Sequence, residues 1–471
     1  MVHYLKLLHP LLLLVWILIG TALRFTQLTL KSPWTDEFAT MVFSLGNSFH
    51  AVPLDQAIPA NTLLAPLQPN PAAQMADVIH HLLTEDHHPP LYFLLSHWWM
   101  GLFPASGTQV LLWGARSLPA LLGVASIPAM YGLGWLAFRS RLVGQLAAAM
   151  MAVSPYGIYL AQEARHYTLG ILWVIASLCC LVVALKHLVR RMPLPIWVVP
   201  CWVLANSLGI ATHYFFSLTL CAEGIVLIGF WLWQSRSYLT HKTPDRELQA
   251  KENSPIPHSP FPIPQKGILA AAAGTLVGCA VWVPIWQESY DPQMTQWIES
   301  GNRTILAWIS PLFQALAAWI TMVSLLPVEA SSLLVVLASG AVMIGFFFWA
   351  IPIFYRGIKV QLKQPDTGLV IGILGGFVLG AIALFFSITY VLGTDLTRGA
   401  RYSFVYFPAA MVLVAATLAV CWRTAQTRQT SKFIPNPQSH NTELHSKIVD
   451  LADGEMGRWG DGGKETVLRL T

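Results

Sequence analysis

One apolar stretch near the start of the chain predicts a membrane-spanning helix. The sequence of residues 7–37 is LLHPLLLLVWILIGTALRFTQLTLKSPWTDE. Its first part, from Leu7 to Leu23, has no Asp, Glu, Lys or Arg and has about the length that a helix needs to cross a bilayer core of roughly 30 Å. No small-residue cleavage site follows it, so we expect an uncleaved first membrane span. An acidic pair, Asp36 and Glu37, lies directly after this span.

The composition extends this reading to most of the chain. Of 471 residues, 55% are hydrophobic and only 11% are charged, whereas roughly a quarter of the residues in soluble domains are charged. Several further stretches have the length of a membrane span. Backbone polar groups within lipid must pair internally, so these stretches must be helices. The sequence therefore predicts an all-α, polytopic membrane helix bundle that lies in the lipid bilayer.

The charged and sulfur-containing residues exclude two other classes of function. The formal charge of +5 comes from Lys and Arg in short loops beside the spans, where such residues orient a membrane protein and do not indicate a nucleic-acid partner. The six cysteines all fall inside apolar runs, and no two of them have the spacing of zinc ligands. We expect neither disulfides nor a cysteine metal site.

Apolar length and positive charge together predict the topology. We predict ten spans, at about residues 7–25, 115–138, 142–160, 167–186, 195–213, 214–234, 267–286, 331–355, 369–391 and 402–422. Lys and Arg cluster in residues 139–141, 186–191, 236–251, 356–363 and 423–432. With the N-terminus inside, ten spans place every one of these clusters on the cytoplasmic side, as the positive-inside rule requires.

Two further apolar segments leave a count of eleven or twelve spans open. Residues 91–103 are too few to cross the bilayer, and residues 305–326 contain Pro311 and several small polar residues. We expect both segments to be interfacial or re-entrant helices on the outer surface.

This topology predicts four parts of the chain. Residues 1–234 form an N-terminal catalytic membrane module with a large outer loop, 26–114, that carries interfacial helices. Residues 235–266 are charged and then rich in proline, which is typical of a disordered cytoplasmic linker. Residues 267–427 form a second membrane module with an outer loop at 287–330. Residues 428–471 are polar and predict a disordered cytoplasmic tail.

The first outer loop contains two groups of residues suited to acid–base chemistry. Asp36 and Glu37 follow Trp34 at the membrane surface, where a low dielectric favours a general base. Further along, His88 precedes two prolines that fix an extended entry into the next helix, and its imidazole suits phosphate binding or proton transfer. The alternative is a solvated turn followed by an ordinary helix start.

A third group joins two predicted spans at the outer face. Residues 154–167 place Gln162, Glu163, Arg165 and Tyr167 at the bilayer boundary. Ionisable groups at membrane depth are costly, and they usually line a cavity or pair with one another. The alternative is a short external turn with a surface contact between Glu163 and Arg165.

A fourth group precedes the last predicted span. Arg398 and Arg401 lie on the outer side, against the positive-inside tendency, and Tyr402 follows them. Two guanidinium groups at headgroup level match the oxygens of a phosphate, although snorkelling to lipid phosphates is the alternative. His213, at the outer boundary between two other spans, could join the same cavity.

In their order along the chain, these motifs resemble a known family. The acidic pair, then HPPLYF (88–93), RSLPALLG (116–123) and SP followed by QEARHY (154–167), are similar to motifs of the GT-C membrane glycosyltransferases. The branch they resemble is the GT39 family of protein O-mannosyltransferases and aminoarabinose transferases. The resemblance covers roughly residues 15–220, with a weaker echo at Arg401 and Tyr402.

The resemblance implies an activity and roles for residues. It implies transfer of a sugar from a polyprenyl-monophosphate donor, with inversion, by an active site on the periplasmic face of the inner membrane. Asp36 would be the base that deprotonates the acceptor, and Glu37 would support it or help to position a substrate. His88 and residues 162–165 would line the cavity, and Arg401 would reach the donor phosphate. The acceptor is left open among a lipid, an envelope glycan and a protein.

General chemistry is compatible with those roles. An inverting transfer needs one base for the acceptor hydroxyl and a way to stabilise the departing phosphate. Because the leaving group is already a phosphate anion, it requires little acid catalysis. No cofactor is therefore required, and a divalent metal is compatible with the chemistry without being demanded by it.

Two other functions fit the same topology. A transporter or flippase of lipid-linked saccharides would share the spans and the outer arginines, but the sequence shows no inverted repeat and no paired broken helices. A scaffold subunit of an envelope-synthesis complex would tolerate the loss of Asp36 and Glu163.

Overall fold

The computed structural model describes residues 2–50, 52–53, 55–86, 88–103, 110–240, 266–288, 298, 305–324 and 330–433. Among these residues the regular structure is helical and there is no β-strand. The predicted all-α fold is therefore confirmed. The helices within the first 138 residues are α1 Val2–Phe25, α2 Thr35–Ser44, α3 Ala60–Leu63, α4 Met75–Thr84, α5 Leu91–Met100 and α6 Leu112–Phe138.

The remaining helices follow with short connections wherever the chain is described. They are α7 Arg141–Val153, α8 Pro155–Ala161, α9 Tyr167–Val189, α10 Val198–Thr212, α11 Phe216–Thr240, α12 Lys266–Ala280, α13 Val283–Glu288, α14 Ile305–Val323, α15 Leu333–Leu362, α16 Pro365–Ser387 and α17 Phe407–Phe433. A π-helical turn, Ile388–Leu392, extends α16, and two 3₁₀ segments, Leu396–Arg398 and Ala400–Val405, lead into α17.

Many of these helices are long and apolar enough to cross a membrane. In the part of the chain that the structure describes there are seven such helices, or eight if the bent pair α7–α8 is one span. Three shorter apolar helices, Val198–Thr212, Trp308–Val323 and Phe407–Trp422, accompany them. The chain is a multi-pass helical membrane protein, and the count of ten spans stays a prediction.

The predicted span over residues 142–160 differs from the structure. The segment expected as a single helix over 142–160 consists of α7 and α8, which meet at Ser154 with a bend of 56°. Pro155 disfavours helical backbone at the residue before it and has no N–H to donate. Ser154 has an extended ψ of 120°, and its side chain accepts a hydrogen bond from the Gly157 N–H, which starts α8.

The centre of the bundle is formed by α6, which packs against α1, α7 and α9. Ile127, Met130 and Leu133 of α6 have no exposed surface. A Cβ on Gly134 would lie 3.1 Å from the Cα of Gly144, so the glycines allow α6 and α7 to approach closely. This close packing joins α6 and α7 at the end of the bundle that carries Arg139.

The first outer loop has a small core of its own. Phe43 of α2, Val78 and Leu82 of α4, and Phe93 of α5 form one buried cluster, each with at most 3% of its surface exposed. The backbone of the loop is therefore anchored in helices, as the sequence predicted, and it can hold side chains in defined positions.

The chain divides into two compact units, residues 1–420 and 421–471. Helices α11 and α17 continue to Thr240 and Phe433, a few residues past the predicted starts of the linker and the tail. Residues 241–265 and 434–471, and residues 289–297, 299–304 and 325–329 of the second outer loop, lie outside the described residues. The division into two membrane modules stays a prediction.

Candidate active site

Five segments that are distant in sequence meet at one end of the bundle. They are the start of α2, the turn before α5, the elbow between α8 and α9, the turn between α10 and α11, and the 3₁₀ segment Ala400–Val405. Each segment lies at a helix end, where backbone donors and acceptors are left without intrahelical partners. The site is therefore assembled by the packing of the bundle.

Asp36 lies between two arginines. The distance from Arg401 Nη2 to Asp36 Oδ2 is 3.3 Å, and that from Arg165 Nη2 to the same oxygen is 3.6 Å. The Asp36 side chain is 35% exposed, whereas those of Arg401 and Arg165 are 17% and 3% exposed. The arrangement is a carboxylate that a substrate can reach, flanked by two cations that are largely shielded from water.

Trp34 lies beside both cations. The Cζ atoms of Arg401 and Arg165 are 4.5 Å and 5.9 Å from the centre of a Trp34 ring, within the range of cation–π attraction. The pKa of Arg401 is affected by burial, which acts to lower it, but the neighbouring Tyr167, Tyr402 and Asp36 raise it overall. The guanidinium of Arg401 therefore stays charged.

Arg165 is held rigidly before any substrate arrives. Its Nη1 donates to the backbone carbonyl of Asp36 at 2.9 Å and to Thr40 Oγ1 at 2.7 Å. Burial acts to lower the pKa of Arg165, but Tyr167 and Asp36 raise it overall. A buried cation fixed in this way can stabilise negative charge without first reorganising.

His88 connects an acid to Arg165. The distance from His88 Nδ1 to Asp86 Oδ1 is 2.8 Å, and that from His88 Nε2 to Arg165 Nη2 is 3.4 Å. An ionised carboxylate only accepts, so Nδ1 carries the proton and Nε2 faces the arginine as an acceptor. His88 therefore lies beside Arg165 and orients its guanidinium.

His166 and His213 form a buried pair behind His88. Their ring centres are 4.3 Å apart, and the ring centre of His88 is 5.5 Å from that of His166. His213 Nδ1 accepts a hydrogen bond from the Phe215 N–H at 3.0 Å. Burial, and then the positive charge of neighbouring groups, holds the pKa of both His166 and His213 well below the usual value. Both imidazoles are neutral at physiological pH.

Glu37 has a different environment from its neighbour Asp36. Arg116 of α6 donates from Nε to Glu37 Oε1 at 2.6 Å and from Nη2 to Oε2 at 2.8 Å, and neither side chain is exposed. The Ala164 N–H also donates to Oε1, at 2.8 Å. Glu37 thus joins α2, α6 and the elbow that carries Arg165.

Gln162 and Glu163 fasten the elbow to the end of α1. Gln162 Nε2 donates to the carbonyls of Leu23, Arg24 and Thr26 at 3.1 to 3.3 Å. Glu163 Oε1 accepts from Lys31 Nζ at 2.8 Å. The structure therefore places these two predicted site residues in anchoring contacts beside the cavity.

The two arginines before the last helix are separated by the fold. Arg401 reaches Asp36, whereas Arg398 is 39% exposed, with its Nε 3.5 Å from Asp395 Oδ2. Tyr402 is buried against Phe215, with ring centres 4.4 Å apart, and burial raises its pKa to about 12.

Tyr167 is the remaining aromatic residue that the sequence predicted for the site. Tyr167, at the start of α9, is 1% exposed, and the Cζ of Arg165 is 5.7 Å from the centre of its ring. The Tyr167 ring is therefore within the range of cation–π attraction to the guanidinium.

Sequence reasoning missed two residues that support the site. Arg116 was part of a motif without a role, although an arginine at the outer end of a span breaks the positive-inside tendency in the same way as Arg401. Thr40 gave no signal, because an i+4 threonine after Asp36 is common in helices. Among the described residues no group of three or more His, Cys, Asp or Glu side chains is placed to hold a metal ion.

Fold and site define a class: an all-helical, multi-pass membrane protein with a carboxylate between two arginines at one end of its bundle. No protein-family model matches the sequence, and no curated protein matches it. Similar solved structures include the apo oligosaccharyltransferase of Archaeoglobus fulgidus, with a TM-score of 0.43 and 14% identity over 90% of this chain and 52% of that one. Another is ArnT of Cupriavidus metallidurans bound to undecaprenyl phosphate, with a TM-score of 0.46 and 12% identity over 94% of this chain and 63% of that one.

The chain spans between about half and two thirds of the length of these neighbours.

Proposed function

We propose that the chain is an integral membrane glycosyltransferase. It transfers a sugar from a polyprenyl-monophosphate donor to an acceptor hydroxyl on a lipid, an envelope glycan or a protein, with inversion at the sugar. The observation that carries the proposal is the position of Asp36, a reachable carboxylate within 3.6 Å of both Arg401 and Arg165. These are the two kinds of group that the reaction needs.

The reaction follows from these groups. The acceptor oxygen attacks the anomeric carbon on the face opposite the phosphate, and its proton moves to the Asp36 carboxylate. The bond between the anomeric carbon and the phosphate oxygen breaks, and the electron pair leaves with the polyprenyl phosphate. Arg401 and Arg165 stabilise the charge that develops on the phosphate oxygens.

The two arginines have different parts in this scheme. Arg165 is fixed by Thr40 and by the backbone of Asp36, so it supplies a preorganised charge. Arg401 is more exposed and rests on Trp34, so it can exchange its contact with Asp36 for a phosphate oxygen. That exchange would release the carboxylate to act as a base when the donor binds.

Positive charge supports an active site on the outer face of the inner membrane. The opposite end of the bundle carries Arg139, Lys186 and Arg190, which lie at the far ends of α6 and α9 from the site. The positive-inside rule places that end in the cytoplasm. The second outer loop, 287–330, is then on the same side as the site, where it is suited to selecting the acceptor.

The test is to purify the wild type, Asp36→Asn and Asp55→Asn in mild detergent and to identify the bound lipids by mass spectrometry. Asp55 is an exposed acid in the same loop with a φ of 57°, which asparagine also tolerates, so it is the matched control. We expect Asp36→Asn to retain a polyprenyl-phosphate sugar that the other two proteins release on adding acceptor extract. Normal transfer by Asp36→Asn would remove Asp36 as the base, and donor binding without transfer by the wild type would favour a flippase.

A further inference from the structure

A cavity lies at the end of the bundle opposite Asp36. Its volume is about 690 Å³, and it is bounded by the end of α9, the second half of α11 and the first half of α16. Helix α9 begins beside Arg165 and ends at Val189, 23 residues later, a length of roughly 34 Å at about 1.5 Å per residue. The cavity is therefore separate from the site that contains Asp36.

Glycines form one wall of this cavity. Gly368, Gly372 and Gly376 of α16 line it at intervals of four residues, so they share one face of the helix. A Cβ on Gly372 would approach nothing closer than the Phe230 ring at 3.9 Å, and one on Gly376 would meet Val226 at 3.5 Å. Both are ordinary contacts. The packing of α16 on α11 does not require these two glycines, and their effect is to leave the groove open.

The mouth of the groove carries one ion pair. Arg190 Nη2 donates to Asp366 Oδ1 at 3.0 Å, and the side chains are 48% and 83% exposed. Exposed pairs of this kind contribute little to stability and exchange partners easily. Among the described residues that line the groove, one cation and one anion therefore lie at its mouth, above walls that are otherwise mostly apolar, such as Phe230 and Trp233.

This pattern of charge is complementary to one kind of lipid headgroup. A zwitterionic aminophospholipid carries a phosphate that fits Arg190 and an ammonium that fits Asp366. An anionic phospholipid would satisfy Arg190 but would bring a second negative charge to Asp366. The helices α9, α11 and α16 that line the groove each qualify as membrane spans. Its volume lies within the range of about 300–1,000 Å³ that is usual for small-molecule sites.

We infer that this groove binds one aminophospholipid, with its phosphate on Arg190, its ammonium on Asp366 and an acyl chain along the face of Gly372 and Gly376. The site is independent of the glycosyl-transfer proposal, since none of the residues that line it has a part in the proposed transfer reaction.

Native mass spectrometry of the full chain tests the inference. The wild type would be titrated with phosphatidylethanolamine or phosphatidylglycerol at a detergent concentration that removes loosely bound lipid. We expect one retained phosphatidylethanolamine and weaker retention of phosphatidylglycerol. Gly372→Leu, which fills the groove, should lower the retained fraction roughly tenfold, a loss of about 1.4 kcal/mol. Gly375→Leu is the matched control, because Gly375 is on the same helix, has nothing within 4 Å of an added Cβ and does not line the groove.

The headgroup is tested separately with Asp366→Asn and Arg190→Gln. Asp366→Asn should abolish the preference between the two lipids, and Arg190→Gln should weaken retention of both. Equal retention of both lipids by the wild type, or unchanged retention by Gly372→Leu, would overturn the inference.

A photoreactive residue identifies the occupant directly. Phe230→p-benzoylphenylalanine places the probe on the groove wall. A cross-linked product with the mass of one phospholipid supports the inference. A cross-link to residues 241–265 or to a second copy of the chain would overturn it and assign the groove to a protein segment.

Discussion

Arg116 and Glu37 form a two-point ion pair from which water is excluded, with distances of 2.6 Å and 2.8 Å and no exposed surface on either side chain. The same arginine donates from Nη1 to the carbonyls of Leu28 and Lys31, and the same carboxylate accepts from the Ala164 N–H. The pair therefore fixes the segment before α2 to α6 and to the elbow. Asp36 directly precedes Glu37, and Arg165 directly follows Ala164, so each is next in sequence to a residue that the ion pair holds in place.

The first prediction concerns this pair. Arg116→Gln should destabilise the protein by about 3–5 kcal/mol, because it leaves the Glu37 carboxylate buried without its partner. The double variant Arg116→Met with Glu37→Leu removes both charges and should be more stable than either single variant. Thermal unfolding in detergent, followed by tryptophan fluorescence, measures the order. Equal melting temperatures for the wild type and Arg116→Gln would show that the pair is not a structural anchor.

The second prediction compares the two arginines before α17. Arg401→Gln should lower kcat/KM for a polyprenyl-phosphate sugar by about 10²–10³-fold, the usual loss when one donor to a developing negative charge is removed. Arg398→Gln should have a much smaller effect, because Arg398 is 39% exposed and lies against Asp395. Steady-state kinetics of both variants provide the comparison. A larger loss for Arg398→Gln would reverse the assignment of the phosphate-binding residue.

The third prediction concerns pH. Burial lowers the pKa of His166 and His213 well below 6.5 in the folded protein. Between the lowered value and 6.5 the unfolded chain binds more protons than the folded one, so stability is complete above about pH 6.5 and falls as the pH decreases. Each histidine contributes up to about 1.4 kcal/mol per pH unit in that window.

Melting temperatures between pH 5.0 and 7.5 test this dependence. The wild type should lose stability towards pH 5, and a variant with His166→Gln and His213→Gln should show a flatter profile. Glu85, whose pKa is lowered overall although burial acts to raise it, adds a loss of stability only at more acidic pH, below about 4.5. Parallel profiles for the two proteins between pH 5 and 6.5 would mean that the histidines are not the cause.

The fourth prediction concerns topology. In a variant without the six native cysteines, single cysteines introduced within residues 300–330 should react with an impermeant thiol reagent added to intact cells. Cysteines within 236–260 should react only after the cells are opened. The expectation rests on the positive charges at the end of the bundle opposite Asp36. The reverse pattern would place the active site on the cytoplasmic side.

Local sequence was sufficient for much of the fold. The length and composition of the apolar runs predicted helices over α1, α6, α9, α11, α15 and α16, because the transfer of a helix into lipid depends on the residues of that helix alone. Local residue types also predicted the acidic pair as candidate site residues and helices in the first outer loop. The helix break at Ser154 could have been predicted from Pro155, but the continuous apolar run over 142–160 favoured a single helix.

Which charges meet was decided by the tertiary structure. Asp36 and Arg401 are 365 positions apart, and their contact depends on how the ends of α2 and α17 are brought together. Residue type and spacing alone do not distinguish Asp36 from Glu37 or Arg401 from Arg398, whereas the fold buries Glu37 against Arg116 and places Arg398 beside Asp395. Hydropathy and residue type are local properties. The amino-acid sequence was therefore enough to predict membrane spans and to single out residues that could carry chemistry. Which of those residues lie close together depends on the packing of the helices, since packing sets the distances between the charges.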